Sequence, residues 1–202
     1  MSVQEVLVRM SQIQGAMTSS IGGGAVLPGG TTSTGASFDA VLGQQINGTQ
    51  AISSVQGGTA GQRMVALAQQ EIGVKEQPPG SNDSPRIKEY RAATAGSGVG
   101  PWCAYFTSWL AKSAGAPVGE QGQGFGSVDA LYGWAQRTGR AVQNGPNVHP
   151  AAGDLIVWDE HIGLVESVDA DGTVHTIEGN SSDQVIRRTH DAGSALGYVK
   201  VG

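Results

Sequence analysis

The sequence predicts an α+β domain, with helices first and an antiparallel sheet after them, behind a long arm that builds no core. Three observations predict it. Apolar residues recur at helical spacing from about residue 61 to 139, and they alternate at the spacing of strands from about 154 onward. Residues 1–61 carry only Glu5, Arg9 and Asp39 as charges and Phe38 as their aromatic residue.

Composition narrows the class. The 202 residues include 32 glycines and one cysteine, so a disulfide-stapled scaffold is excluded. A net charge of −5, with Arg187–Arg188 as the basic cluster, argues against a nucleic-acid partner. No stretch approaches the roughly 18 consecutive apolar residues of a membrane span. The opening MSVQEVLVRMSQIQG lacks the basic start and apolar block of a secretory signal, which predicts synthesis in the cytoplasm without a Sec address.

The elements follow in order. Residues 1–60 read as a flexible Gly/Ser/Thr-rich arm, with glycines at 22–24, 57 and 58 and the run PGGTTSTG at 28–35. Two amphipathic patches interrupt it, Val3, Val6, Leu7, Met10 and Ile13, then Phe38, Val41, Leu42 and Ile46; each is a docking helix or a transient one. A globular domain spans 61–202. Its first helix carries Met64, Val65, Leu67, Ala68 and Ile72 and stops at Gly73. Ser84–Pro85 is an N-cap followed by Pro at the first helical position, opening a helix over 86–93. The third helix starts at Pro101, stops at Gly115 and holds Cys103 in its first turn; the fourth runs from a Ser127 cap to Gly139. Between them, Gly122–Gly126 around Phe125 reads as a groove edge or a plain connector. Strands are expected over 154–158, 161–168, 173–178, 185–189 and 196–201, with turns at 169–172 and 191–193.

Cys103 is a small core residue or a reactive thiol. The first turn of a helix favours the thiolate, because free backbone N–H groups and the macrodipole point there. A nucleophilic reading needs a histidine to take the proton and a third group to hold that histidine. His149 lies in a Gly/Pro-rich loop, and His175 and His190 sit on strands with no carboxylate at a useful register. His161 differs. A four-residue turn between HIGLVESVD and TVHTIEGN sets Val168 opposite Thr173, hence Gly163 opposite Glu178 and His161 opposite Asn180. Opposed residues share a face, so His161, Glu178 and Asn180 project together, and an odd loop would split them. Glu178 or Asn180 then accepts from one ring nitrogen and leaves the other for Cys103.

Four segments, PWCAYFTSWL, AAGDLIVW, HIGLVESV and TVHTIEGN, in this order, resemble the CHAP domain, the cysteine, histidine-dependent amidohydrolase/peptidase of peptidoglycan hydrolases. The resemblance spans about Gly61 to the C-terminus. It implies a papain-like α+β fold, Cys103 as nucleophile, His161 as base and then acid, and Glu178 with Asn180 orienting His161. It also implies cleavage of an amide bond of the wall peptide, in the stem, the cross-bridge, or between stem and muramic acid, with no cofactor. Tyr90 and Trp102 are candidates for substrate-binding groove walls or a second oxyanion donor, with plain packing as the alternative. Some CHAP domains carry an Asp-rich calcium loop ahead of the cysteine; SNDSPRIKEY offers only Asp83, so no metal site is expected. The arm resembles N-termini of wall hydrolases encoded with actinobacterial flagella. This implies an export apparatus or protein partner for the arm and action at the wall or periplasm after non-Sec export or lysis. Phage lysins and antibacterial effectors share the chemistry; a silent wall-binding or scaffolding module is the reading from another class.

Overall fold

The computed structural model describes residues 58–96 and 98–202, so the arm and its two amphipathic patches lie outside the described residues. Among the described residues, four α-helices precede the strands. Helix α1, Ala60–Glu71, starts with a reciprocal cap in which Thr59 Oγ1 accepts from Gln62 N–H and the Gln62 side chain accepts from Thr59 N–H. Gly73, at φ +92°, then turns the chain out of the helix and donates to the Val185 carbonyl. Helix α2, Pro85–Ala92, has the expected Ser84 cap, accepting from Ile87 N–H, and buries Ile87 and Tyr90.

Helix α3, Cys103–Ser113, is the central one, with all but three of its residues buried. It begins two residues after Pro101, making Cys103 its first residue. Helix α4, Val128–Arg137, is capped by Ser127, whose hydroxyl accepts from Ala130 N–H, and it buries Val128, Leu131, Trp134 and Ala135.

The strands are β1 (Ala141–Gln143), β2 (Leu155–Val157), β3 (Ile162–Val168), β4 (Thr173–Ser181), β5 (Gln184–Asp191) and β6 (Gly197–Val199). They form one antiparallel sheet in the order β1-β6-β2-β3-β4-β5. This is the α+β architecture the sequence predicts. Strand β1 was not predicted, because three residues are too few to show alternation. Strands β4 and β5 outrun their predicted ends, and Ser182 and Asp183, at φ +54° and +59°, make a two-residue turn between Ser181 and Gln184.

Alternation divides the sheet into two buried faces. Leu155, Val157, Leu164, Ile177 and Val199 join the helices in the main core, while Ile156, Val165, Val174 and Tyr198 form a second cluster on the other face. Thr176 and Glu178 share their parity with Val174.

The β3–β4 register corrects the sequence reading in an instructive way. Val168 pairs with Val174, not Thr173, and Asp169 N–H donates to the Thr173 carbonyl, so an odd turn of Ala170, Asp171 and Gly172 joins the strands. By itself that turn would put His161 and Glu178 on opposite faces. A bulge at Glu166, between Val165 and Ser167, inserts one residue and restores the pairing, so that Leu164 meets Ile177. Continued outward, the register sets Gly163 beside Glu178, and a Cβ on Gly163 would lie 2.8 Å from Glu178 Cγ. The bulge is anchored: Glu166 accepts two hydrogen bonds of 2.7 Å from Arg187 and one of 2.8 Å from Gln69 on α1.

Candidate active site

Cys103 opens α3 with its side chain buried, and no side chain caps that helix end. The first amides of a helix have no intrahelical acceptor, so the sulfur sits beside an electropositive helix terminus. His161 lies just ahead of β3, where its carbonyl accepts from Trp158 N–H at 2.9 Å. The Trp158 ring stacks on the imidazole with centroids 5.7 Å apart.

The imidazole links two groups. His161 Nε2 lies 2.9 Å from Glu178 Oε2, and the ring also lies within electrostatic reach of the Cys103 side chain, for which Nδ1 is the nitrogen that Glu178 leaves open. Burial disfavours the charged ring, but the Cys103 sulfur and then the Glu178 carboxylate overcome this and push its pKa up to about 9. Glu178 is only 2 % exposed, which alone would raise its pKa. Hydrogen bonds from His161, Thr176 and His190 reverse the effect and hold it at about 2. Thr176 Oγ1 donates to Glu178 Oε1 at 2.6 Å, and His190 Nε2 lies 2.6 Å from the same oxygen.

His190 therefore corrects the sequence reading, which left it without a carboxylate. The β3–β4 hairpin alone does not contain this contact: pairing of β4 with β5 sets Val174 opposite His190 and so places His190 on the Glu178 face. His175 also has a partner, Asp169 at 2.8 Å, on the surface. His149 lines a separate cavity of about 620 Å³ between the loop at Asn144–Val148 and the turn at Ala192–Leu196.

An open cleft of about 480 Å³ lies over Cys103, lined also by Pro101, Tyr105, Val128, Asp129 and Asn180. Asn180 lies in this cleft at φ +59° and makes no hydrogen bond to His161 among the described residues, so the ring is oriented by Glu178. Gly126 edges the cleft, and the chain beside it is pinned, since Phe125 N–H donates to Ser108 Oγ, which donates back to the Phe125 carbonyl.

Tyr90 and Trp102 are corrected as well: both are fully buried in the core. They pack with Phe106 and Trp109 in one aromatic cluster, Tyr90 O–H donating to Glu71 at 2.6 Å and Trp102 Nε1–H to Glu76 at 2.9 Å. Trp102, the N-cap residue of α3, turns its side chain inward, and Tyr90 lies on the buried face of α2. Asp83 is engaged by Arg91 at 2.5 Å and Lys88 at 3.6 Å.

No curated protein matches the chain. Among solved structures, an N-acetylmuramoyl-L-alanine amidase from Staphylococcus aureus aligns with a TM-score of 0.40 and 19% identity, covering 55% of this chain and 34% of that one. This chain thus spans about a third of the length of that protein. The family model described as the CHAP domain matches residues 94–180. Cys103, His161, Glu178 and Asn180 all fall inside that span, so the stretch that holds the candidate site is the stretch similar to the CHAP domain.

Proposed function

We propose that this chain is a peptidoglycan hydrolase that cuts an amide bond of the wall peptide, as an endopeptidase or an N-acetylmuramoyl-L-alanine amidase, by thiol chemistry. One observation carries the reading: within the span similar to the CHAP domain, His161 stands between Cys103, which lines an open cleft, and a buried Glu178 carboxylate. A module that only binds wall needs no such pairing.

The steps follow from the geometry. Cys103 thiolate adds to the amide carbonyl carbon, and the carbonyl oxygen gains the charge. The helix terminus of α3, with the Cys103 N–H, stabilises that oxygen, worth roughly 3 kcal/mol per well-placed donor. His161, held as imidazolium by Glu178, gives its proton to the departing amine as the C–N bond breaks, leaving a thioester on Cys103. Neutral His161 then takes a proton from water as that water attacks the thioester, and the acid product leaves with the thiolate restored. Asn180 offers its amide to the same cleft.

Delivery to the wall by a flagellar-type or other non-Sec route, through the charge-poor segment 1–57, belongs to the same proposal and rests on composition.

The test is digestion of purified peptidoglycan, with released muropeptides identified by mass spectrometry. Wild type is expected to create one class of new amine ends, absent with Cys103→Ala. Equal release by the two proteins would overturn the reading.

A further inference from the structure

We propose that His190 is a positioning residue for the active site: it holds the second oxygen of Glu178, so that the first stays aligned on His161. It rests on the function proposed above only for its effect on turnover.

The terminal torsion of a glutamate is broad, so a carboxylate held through one oxygen can swing away from its partner. Glu178 is held through both. Oε2 meets His161 at 2.9 Å, while Oε1 meets Thr176 and His190, each at 2.6 Å. Thr176 lies two residues away on the same strand and moves with Glu178. His190 comes from β5 and ties the carboxylate to a different strand.

Trp158 completes the arrangement. Its ring lies against both imidazoles, 5.7 Å from His161 and 4.5 Å from His190 by centroids, and its Nε1–H donates to Ser194 Oγ at 3.2 Å. The indole is a spacer that keeps two rings apart while both address one carboxylate.

The other polar groups nearby have separate work. Arg188, opposite Thr176, reaches Ser181 at 3.2 Å and Ser182 at 2.7 Å. Asp191, beside His190, accepts from Gly193 N–H at 2.7 Å. Cys103, on α3, acts electrostatically on His161. Glu160 lies on the rim of the cleft. His190 is the group that bridges from β5 to Glu178, and it stands outside the residues matched to the family.

The full chain is compared with His190→Ala and His190→Gln, the second of which keeps an N–H donor. Two readouts are used: titration of the His161 ring by NMR without substrate, and kcat and KM on purified peptidoglycan. In His190→Ala the His161 midpoint is expected to fall by about one pH unit as its bond to Glu178 loosens. The same variant is expected to lose about tenfold in kcat at unchanged KM, the scale typical of groups that orient a functional imidazole. His190→Gln should recover both.

An unchanged His161 midpoint in His190→Ala overturns the proposal, and so does equal impairment by Ala and Gln, which marks a merely structural role. If His190→Ala does not fold, nitrogen-15 shifts of the wild type decide: His190 Nε2 must carry a proton, and an unprotonated Nε2 overturns the assignment. A wild type that leaves peptidoglycan intact would refute the proposed function, while the His161 titration still decides the place of His190.

Discussion

Cys103 lines a cleft and acts electrostatically on the imidazole of His161, so under the proposed mechanism removing either is expected to stop turnover without unfolding the domain. Cys103→Ala should release no muropeptides, with an unchanged circular dichroism spectrum, and iodoacetamide should inactivate the wild type with one equivalent of label. His161→Ala should be as severe, whereas His175→Ala should keep near-normal kcat, because His175 pairs with Asp169 on the surface. The pH profile carries a sign. His161 keeps its proton until about pH 9, and above this the imidazolium that the proposed mechanism uses to protonate the leaving amine is lost, so activity should fall on the alkaline side near that value. Glu178→Gln removes the negative charge that helps retain the proton, so the alkaline edge of kcat/KM should move to lower pH. An edge that stays in place would mean Glu178 acts through shape alone. At this scale, Cys103 was legible from its place at a helix start, and His161 with Glu178 from one hairpin. His190 was not, since its partner lies across a second strand pair, and the inward turn of Tyr90 and Trp102 depends on packing that local pattern does not encode.

At the scale of elements, glycines set the clearances around the site. A Cβ on Gly163 would lie 2.8 Å from Glu178 Cγ, so Gly163→Ala should displace the carboxylate and lower kcat with little change in melting temperature. Gly179 faces the opposite layer, where a Cβ would meet Phe106 Cβ and Trp102 Cζ3 at 2.8 Å. Gly179→Ala should therefore destabilise, by about 1–3 kcal/mol as overpacking of a filled core does, read as a lower denaturation midpoint. Helix starts at Ser84 and Ser127 were legible because capping is local chemistry; α3 was misplaced by two residues because Pro101 is equally at home just outside a helix. The sheet register was legible at the site end and wrong at the turn end. Turn length and the Glu166 bulge compensate each other, and the bulge is held by Arg187 and Gln69 from two other elements, which no reading of β3 and β4 alone contains.

For the whole molecule, the expected independence of the domain from its arm can be tested with a sharper boundary than Gly61. Thr59 caps α1 reciprocally with Gln62, and Arg63 donates to the carbonyls of Gly58 and Ala114. A chain starting at Gly58 should keep full activity on purified peptidoglycan and an unchanged melting temperature. One starting at Gly61 should lose about 0.5–2 kcal/mol with the cap. Loss of activity in the longer of the two would show that residues 1–57 belong to the working fold. Gly61 packs backbone to backbone on Gly153, at φ +94°, where a Cβ on Gly153 would come 2.3 Å from Gly61 Cα. Close by, a Cβ on Gly202 would come 3.0 Å from Ala60 Cβ. The two ends of the domain thus meet at one spot, a geometry that suits rewiring of the chain. A short glycine linker from Gly202 to Gly58 would close the polypeptide into a ring, which could be reopened in the surface turn at 170–172 with every strand pairing kept.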